Sequence, residues 1–237
     1  IIQNEKKSKK CKLMFGFNHR YHPGIMRAKH LVDKKKFGEI IAIRGMYGKS
    51  GGKNFRLSWK NNPKISGGGI LIDQGIHMID LLNYFLGNFK FVKSILGNKA
   101  WRFKVEDNAM ILLKNNQGKL AMIHSSSSFW KHMFEINIIL EKGYLKIDGL
   151  LSKTGSYGRE KLTIGKKFFE NDKNALGNPP EEIIYFDKDL SWNIEVDKFV
   201  NFIITQKAVN ESNSKDALNV MKIIEKCYID NKNFKFN

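Results

Sequence analysis

Asp73, His77, Asp80 and Tyr84 are spaced so that a single helix would carry all four on one side. They belong to the run Gly67-Gly68-Gly69-Ile70-Leu71-Ile72-Asp73-Gln74-Gly75-Ile76-His77-Met78-Ile79-Asp80, whose helical pattern continues to Leu86, before Gly87. At about 100° per residue the four side chains fall within roughly 60° of one another. Ile70, Leu71, Ile72, Ile76, Met78, Ile79, Leu81, Leu82, Phe85 and Leu86 make the rest of the helix apolar. A helix that is apolar nearly all round is buried. Buried carboxylates and imidazoles are costly unless paired, so this narrow polar stripe asks for a purpose.

Three purposes compete. A buried histidine is commonly a satisfied core residue, with Asp80 merely orienting it. A metal site would use the same residue types, but the sequence holds no second cluster with ligand spacing and no HExxH pattern. Acid-base chemistry fits better. Histidine titrates near neutral pH, and a carboxylate one turn away fixes its orientation and raises its basicity.

The elements that must position the stripe can be read along the chain. A basic helix end spans Ile1 to Lys12, and Lys12 to Phe17 reads as a short buried strand. That strand opens into Asn18-His19-Arg20-Tyr21-His22-Pro23, and polar residues at a strand's C-terminal end are where α/β folds place ligands. A helix is expected from Pro23 to about Lys36, with proline in its first turn, and a strand over Ile40–Tyr47. A Gly- and Lys-rich loop, Gly48 to Ser66, carries Arg56, Trp59 and Lys60. Its Gly48-Lys49-Ser50 fails the phosphate-loop pattern, because position 43 is Ile43, and the loop is expected to lie over a site.

Beyond the motif helix the pattern turns to strands: Phe89–Leu96, Asn108–Lys114, Leu120–Ser126, Glu135–Leu140, Tyr144–Ile147, Lys161–Ile164 and Glu182–Phe186. Tight turns at Asn116-Gln117-Gly118 and Glu141-Lys142-Gly143 imply a mostly antiparallel sheet. Amphipathic helices over Trp192–Thr205 and Ser214–Tyr228 close the chain, the second with Ser214 as its expected N-cap.

Composition bounds the function. The chain has 237 residues, 42% of them hydrophobic and 17 of them Phe, enough for a sizeable core. Two cysteines, Cys11 and Cys227, are too few for a disulfide framework and fit a reducing, cytoplasmic setting. No apolar run approaches a membrane span. The net charge is +18, which raises the question of nucleic acid. Yet only Arg20, Arg27, Arg44, Arg56, Arg102 and Arg159 are arginines among 41 basic residues. Specific base and phosphate readers favour arginine's planar fork, and no groove-reading motif occurs. Attraction of an anionic small molecule to basic residues around Arg20, Arg56 and Lys60 is the milder expectation.

The motif GGGxLxDxGxHxxD, following a segment with tryptophan and basic residues, resembles the glucose-fructose oxidoreductase, inositol dehydrogenase and rhizopine-catabolism family. Flanking segments resemble it in the same order: Gly16 to Pro23, Phe37-Gly38-Glu39-Ile40, Val105-Glu106-Asp107-Asn108-Ala109 and Asp216-Ala217-Leu218. The resemblance implies an α/β (α+β) fold with a large open, mostly antiparallel sheet and helices on one face, plus the last strand of a truncated Rossmann domain. It implies hydride transfer between a nicotinamide, NAD or NADP, and a hydroxyl carbon of a sugar, cyclitol or nucleotide sugar. His77 then matches the family's acid-base histidine, with Asp73 beside it. Asn18 and Arg20 fall where the strand end faces the nicotinamide, and Arg20 also faces substrate. Lys60 and Asp80, with Trp59, Trp130 and Tyr157, are the further candidates for the sugar.

The chain departs from the family pattern at its start. It has no GxGxxG after a strand, no acidic ribose-binding residue and no Glu-Lys-Pro motif carrying the family's catalytic lysine. It therefore resembles the C-terminal two-thirds of a member, with residues 1–19 a remnant of the dinucleotide-binding domain and 20–237 the substrate-binding and oligomerisation domain. Alone it is expected to be inactive, and homo-oligomeric through its open sheet. A noncatalytic sugar-binding or oligomerisation module of the same fold is the competing reading.

Overall fold

Alternation of side chains builds the main layer. In the computed structural model, which describes residues 1–8, 11–168 and 177–232, eight strands form one open sheet. The elements in chain order are α1 (Ile2–Lys7), α2 (Pro23–Asp33), β1 (Ile40–Gly48), α3 (Pro63–Ser66), α4 (Ile76–Leu86), β2 (Phe89–Gly97), β3 (Asn108–Asn115) and β4 (Leu120–Ser126). They continue with β5 (Met133–Leu140), β6 (Gly143–Asp148), β7 (Glu160–Lys166), β8 (Glu181–Phe186), α5 (Ser191–Ile204) and α6 (Ser214–Asp230). The strand order is β2-β3-β4-β1-β5-β6-β7-β8. Every neighbouring pair is antiparallel except β1 and β4, which run parallel. β1 thus enters between strands made later in the chain, which short hairpins alone cannot arrange.

One face of the sheet is the core. Ala109, Ile111 and Leu113 of β3, Ile123 of β4 and Phe134, Ile136 and Ile138 of β5 are buried there. A register irregularity between Ile40 and Ala42 lets Ile40 and Ile43 both point inward, as a bulge does. Helix α2 covers β6 and β7, α4 covers β1 and β4, and α6 covers β2. Met78 of α4 reaches over Gly45 of β1: a Cβ there would lie 2.5 Å from Met78 Cε. The opposite face stays bare, with Leu112 56% and Phe91 50% exposed.

Three local expectations change in the folded chain. Residues 12–17 form no strand: Phe15 N–H donates to Ser212 O at 2.7 Å and Phe17 N–H turns back to Phe15 O at 2.8 Å, with no ladder to a neighbouring strand among the described residues. A strand needs a ladder partner, and this segment has none along its length. Second, the motif helix is not α-helical throughout. Leu71–Gly75 is a π turn that runs into α4. Third, Ser214 begins α6 while Asn213 caps it, accepting from the N–H groups of Lys215 and Asp216 at 2.9 and 3.1 Å.

The glycine run is held tightly. Glu106 Oε1 accepts from Gly69 N–H at 2.9 Å, Leu71 N–H at 3.0 Å and Tyr228 O–H at 2.9 Å. A Cβ on Gly69 would sit 2.0 Å from Glu106 O, so glycine is required by close approach of two backbones.

Candidate active site

The polar stripe of α4 and its π turn finds a different partner at each level. Asp73 lies in the π turn, a distortion common at functional sites. Its two carboxylate oxygens take the ammonium groups of Lys49, at the start of the loop after β1, and Lys60. Burial pushes Asp73 up, but the two lysines outweigh it and hold the carboxyl below its usual range. One turn on, His77 borders a cleft of about 580 Å³ whose walls include Phe15, Gly16, Phe17, Trp59, Lys60 and Asp73. Burial pushes His77 down to about 4, Asp73 opposes this, and Lys60 and His22 add to it. The imidazole is therefore neutral at pH 7.

Asp80 turns inward. It receives two hydrogen bonds from Arg20, at 2.8 Å from Nε and 2.5 Å from Nη2. Arg20 also donates to Asp216 at 3.0 Å and lies over the rings of Phe17 and Tyr84. Burial works against the guanidinium charge, yet Asp80 and Asp216 raise its pKa. Arg20 and Asp80, read from the sequence as cofactor and substrate contacts, face each other in the interior and border neither described cleft near His77.

Beside α4, the turn Asn18–Tyr21 is entirely buried. His19 stacks on His77 with ring centroids 4.1 Å apart and planes 20° apart. His19 Nδ1 donates to Asn18 Oδ1 at 3.1 Å, and its Nε2 accepts from the Tyr47 hydroxyl at 3.2 Å. Burial drives the His19 pKa well down, and His77 and His22 add to that. His22 Nδ1 donates to the fully buried Glu160 at 3.0 Å.

A second cleft, about 830 Å³, is lined by Asn18, His19, His22, Tyr47, Tyr157 and Trp192 among others. Tyr157 accepts a 2.6 Å hydrogen bond from Gln74 Nε2.

The structure thus gathers Asp73, His77, Trp59 and Lys60 at one cleft and places Asn18 and Tyr157 at the other. Trp130 stands apart, 66% exposed, with its ring 5.8 Å from Trp101. Arg56 lies over Trp101 and Phe103, so its charge faces an aromatic cluster. Lys49, His19, His22, Tyr47 and Gln74 were not read as site residues from the sequence. Their types were visible in Asn18-His19-Arg20-Tyr21-His22 and Gly48-Lys49-Ser50, but no spacing tied them to His77.

Residues 25–146 match the GFO/IDH/MocA C-terminal domain. The chain belongs to this family. Among curated Gfo/Idh/MocA relatives, levoglucosan dehydrogenase of Pseudarthrobacter phenanthrenivorans is 35% identical over 92 residues, 38% of this chain and 24% of that protein. The 2,7-anhydro-N-acetylneuraminate hydratase of Escherichia coli K12 is 32% identical over 180 residues, 72% of this chain and 47% of that protein. The chain therefore spans less than half the length of these curated relatives. A solved levoglucosan dehydrogenase, in complex with NADH and levoglucosan, aligns with a TM-score of 0.75 at 19% identity, covering 94% of this chain and 66% of that one. That likeness shows the shared fold: an open, mostly antiparallel sheet with helices on one face. Among the described residues, no helix is long and apolar enough to cross a membrane.

Proposed function

We propose that this chain is the substrate-facing and proton-transferring part of an NAD(P)-dependent sugar oxidoreductase. The observation that carries the reading is the imidazole of His77 in the wall of a cleft, on the same helix stripe as a carboxylate clamped by two lysines. Residues 20–237 form the substrate domain in this reading, and residues 1–19 are the remnant of a dinucleotide-binding domain.

The cleft fits one part of a nicotinamide cofactor. Gly16 leaves open space where a Cβ would stand, and Phe15, Phe17, Ile72, Ile76 and Met221 give the cleft apolar walls suited to a planar ring. The glycine-rich turn at the head of the motif helix borders this cleft, but its N–H groups are not free for a pyrophosphate: those of Gly69 and Leu71 donate to Glu106 Oε1 and that of Ile70 to Glu106 O. When bound, a nicotinamide supplies the hydride donor or acceptor. His77 takes the proton of the sugar hydroxyl during oxidation and returns it to the carbonyl oxygen during reduction. Asp73 stabilises the imidazolium that forms, because it stays ionised between Lys49 and Lys60. Two lysines against one carboxylate leave a positive charge at the cleft, which favours a sugar bearing an anionic group. Trp59 and Lys60 contact that sugar, and Tyr157 reaches it from the second cleft.

The bare sheet face is the proposed oligomer interface. Phe91, Leu112, Met122 and Ile139 line an apolar groove of about 590 Å³ there, and a contiguous exposed apolar patch is what an interaction surface presents.

The decisive test joins this chain to a dinucleotide-binding domain and replaces His77. His77→Ala lowers turnover by about 10²–10⁴-fold while the melting temperature holds, as loss of a general base does. Asp73→Asn acts in the same direction. Near-normal turnover of His77→Ala at saturating sugar would remove His77 from the mechanism.

A further inference from the structure

An acid-base histidine is ordinarily aimed by a hydrogen bond from its other ring nitrogen to a carboxylate or carbonyl. His77 lacks that device. Its Nδ1 is buried and has no hydrogen-bond partner among the described residues. The two carboxylates on its own helix are taken elsewhere, Asp73 by Lys49 and Lys60 and Asp80 by Arg20. What His77 does have is the flat face of His19, 4.1 Å away and nearly parallel.

His19 is itself fixed from both ends. Asn18 Oδ1 can only accept, so His19 Nδ1 carries the proton; Nε2 is then a lone pair, which the Tyr47 hydroxyl fills. The ring cannot flip without breaking both bonds. Tyr47 and Phe134 pack around it, with centroids 5.3 and 6.0 Å away. A buried ring with both nitrogens satisfied as a neutral imidazole has no room for a second proton.

We propose that His19 is the positioning residue for His77: a neutral imidazole, locked in its Nδ1–H form by Asn18 and Tyr47, that orients the acid-base ring by stacking instead of by a hydrogen bond. The proposal rests on His77 being the proton-transferring group. It adds that the stack seals one face of His77 from water and so helps to keep that ring neutral as a base. The charged and titratable groups around His77 are Asp73 on its own helix, Lys60 from the loop after β1, and His22 and His19 from the segment after Phe17. Lys49 stands behind Asp73, and the hydroxyls of Tyr47 and Tyr157 lie beyond His19.

The test is an NMR titration of the six histidine rings in this chain, with single histidine replacements for assignment. In the wild type, His77 is expected to protonate near pH 4. His19→Ala removes the stacked face and admits water, so His77 moves up toward the ordinary histidine value of about 6.5. His19→Phe keeps a flat ring without the nitrogens, so His77 stays near the wild-type value. The proposal is overturned if His19→Ala leaves His77 where it was, or if His19→Phe shifts it as far as His19→Ala does. Nitrogen-15 shifts of the wild-type rings give a reading that needs no variant. His19 protonated at Nδ1 supports the lock, and His19 protonated at Nε2 overturns it. Both measurements report the environment of the ring without turnover, so failure of the oxidoreductase reading in the His77→Ala assay is a separate result. In the joined enzyme, His19→Ala lowers kcat with KM little changed, and His19→Phe restores most of it; an unchanged kcat in His19→Ala counts against positioning.

Discussion

At the scale of single residues, one helix stripe divides between a cleft and the interior. Asp73 and His77 reach the cleft, while Asp80, one turn further, belongs to the interior. The Arg20–Asp80 pair is 4% and 1% exposed and bidentate, so removing one member strands the other's charge. Arg20→Met is therefore expected to destabilise the fold by about 3–5 kcal/mol, since Asp80 is left buried and unpaired. Denaturant unfolding checks this. A variant as stable as the wild type would show that Arg20 does not carry the ion pair's weight.

At the scale of elements, the π turn and α5 decide what the stripe can do. Glu106 ties Gly69 and Leu71 at the head of the motif to Tyr228 of α6, so the site is anchored to a helix more than a hundred residues away in sequence. Helix α5 packs on the buried turn that holds His19, and it brings a carboxyl, Glu195, into the same region. Burial pushes Glu195 up to about 7, and the charge of Asp80 adds to it.

A carboxyl whose folded pKa is raised favours folding while it is protonated. That stability is fully present below the unfolded value near 4.5 and is lost as pH rises through about 7. Glu195→Gln keeps the neutral shape at every pH. It is expected to gain on the order of 1 kcal/mol at pH 8, or roughly 2–4 °C in melting temperature for a domain of this size, and nothing at pH 4. Melting curves at the two pH values test the sign; an equal gain at both would point to packing instead of charge.

At the scale of the whole molecule, two surfaces carry expectations. The bare sheet face exposes Phe91, Ile95, Met110, Leu112, Leu120, Met122 and Ile139. Among the described residues helices cover the other face only, so the chain is expected to self-associate through this one. Light scattering at tens of micromolar should give a dimer or larger, and Leu112→Lys should shift it toward monomer. A monodisperse wild-type monomer would remove the interface. The cleft beside His77 has apolar walls for a ring, but the N–H groups of its glycine turn are taken by Glu106, so this chain alone is expected to bind NADH weakly. Calorimetry giving a dissociation constant in the low micromolar range would contradict that expectation.

The sequence by itself determined what is local. Helical period put Asp73, His77 and Asp80 on one side of one element, and alternation with tight turns placed the strands from β2 to β8 to within a few residues. The long GGGxLxDxGxHxxD motif was enough to indicate the family that residues 25–146 then matched. Tertiary structure decided the partners. Whether a carboxylate on that stripe meets lysines or an arginine depends on which distant segment packs against it: Arg20 is 60 positions from Asp80, and Lys49 is 24 from Asp73. The parallel insertion of β1 beside β4 brings Tyr47 to the site, and no periodicity along β1 announces it. The same holds for the His19 stack on His77, because period is written in neighbouring residues while pairing is written in how buried surfaces fit.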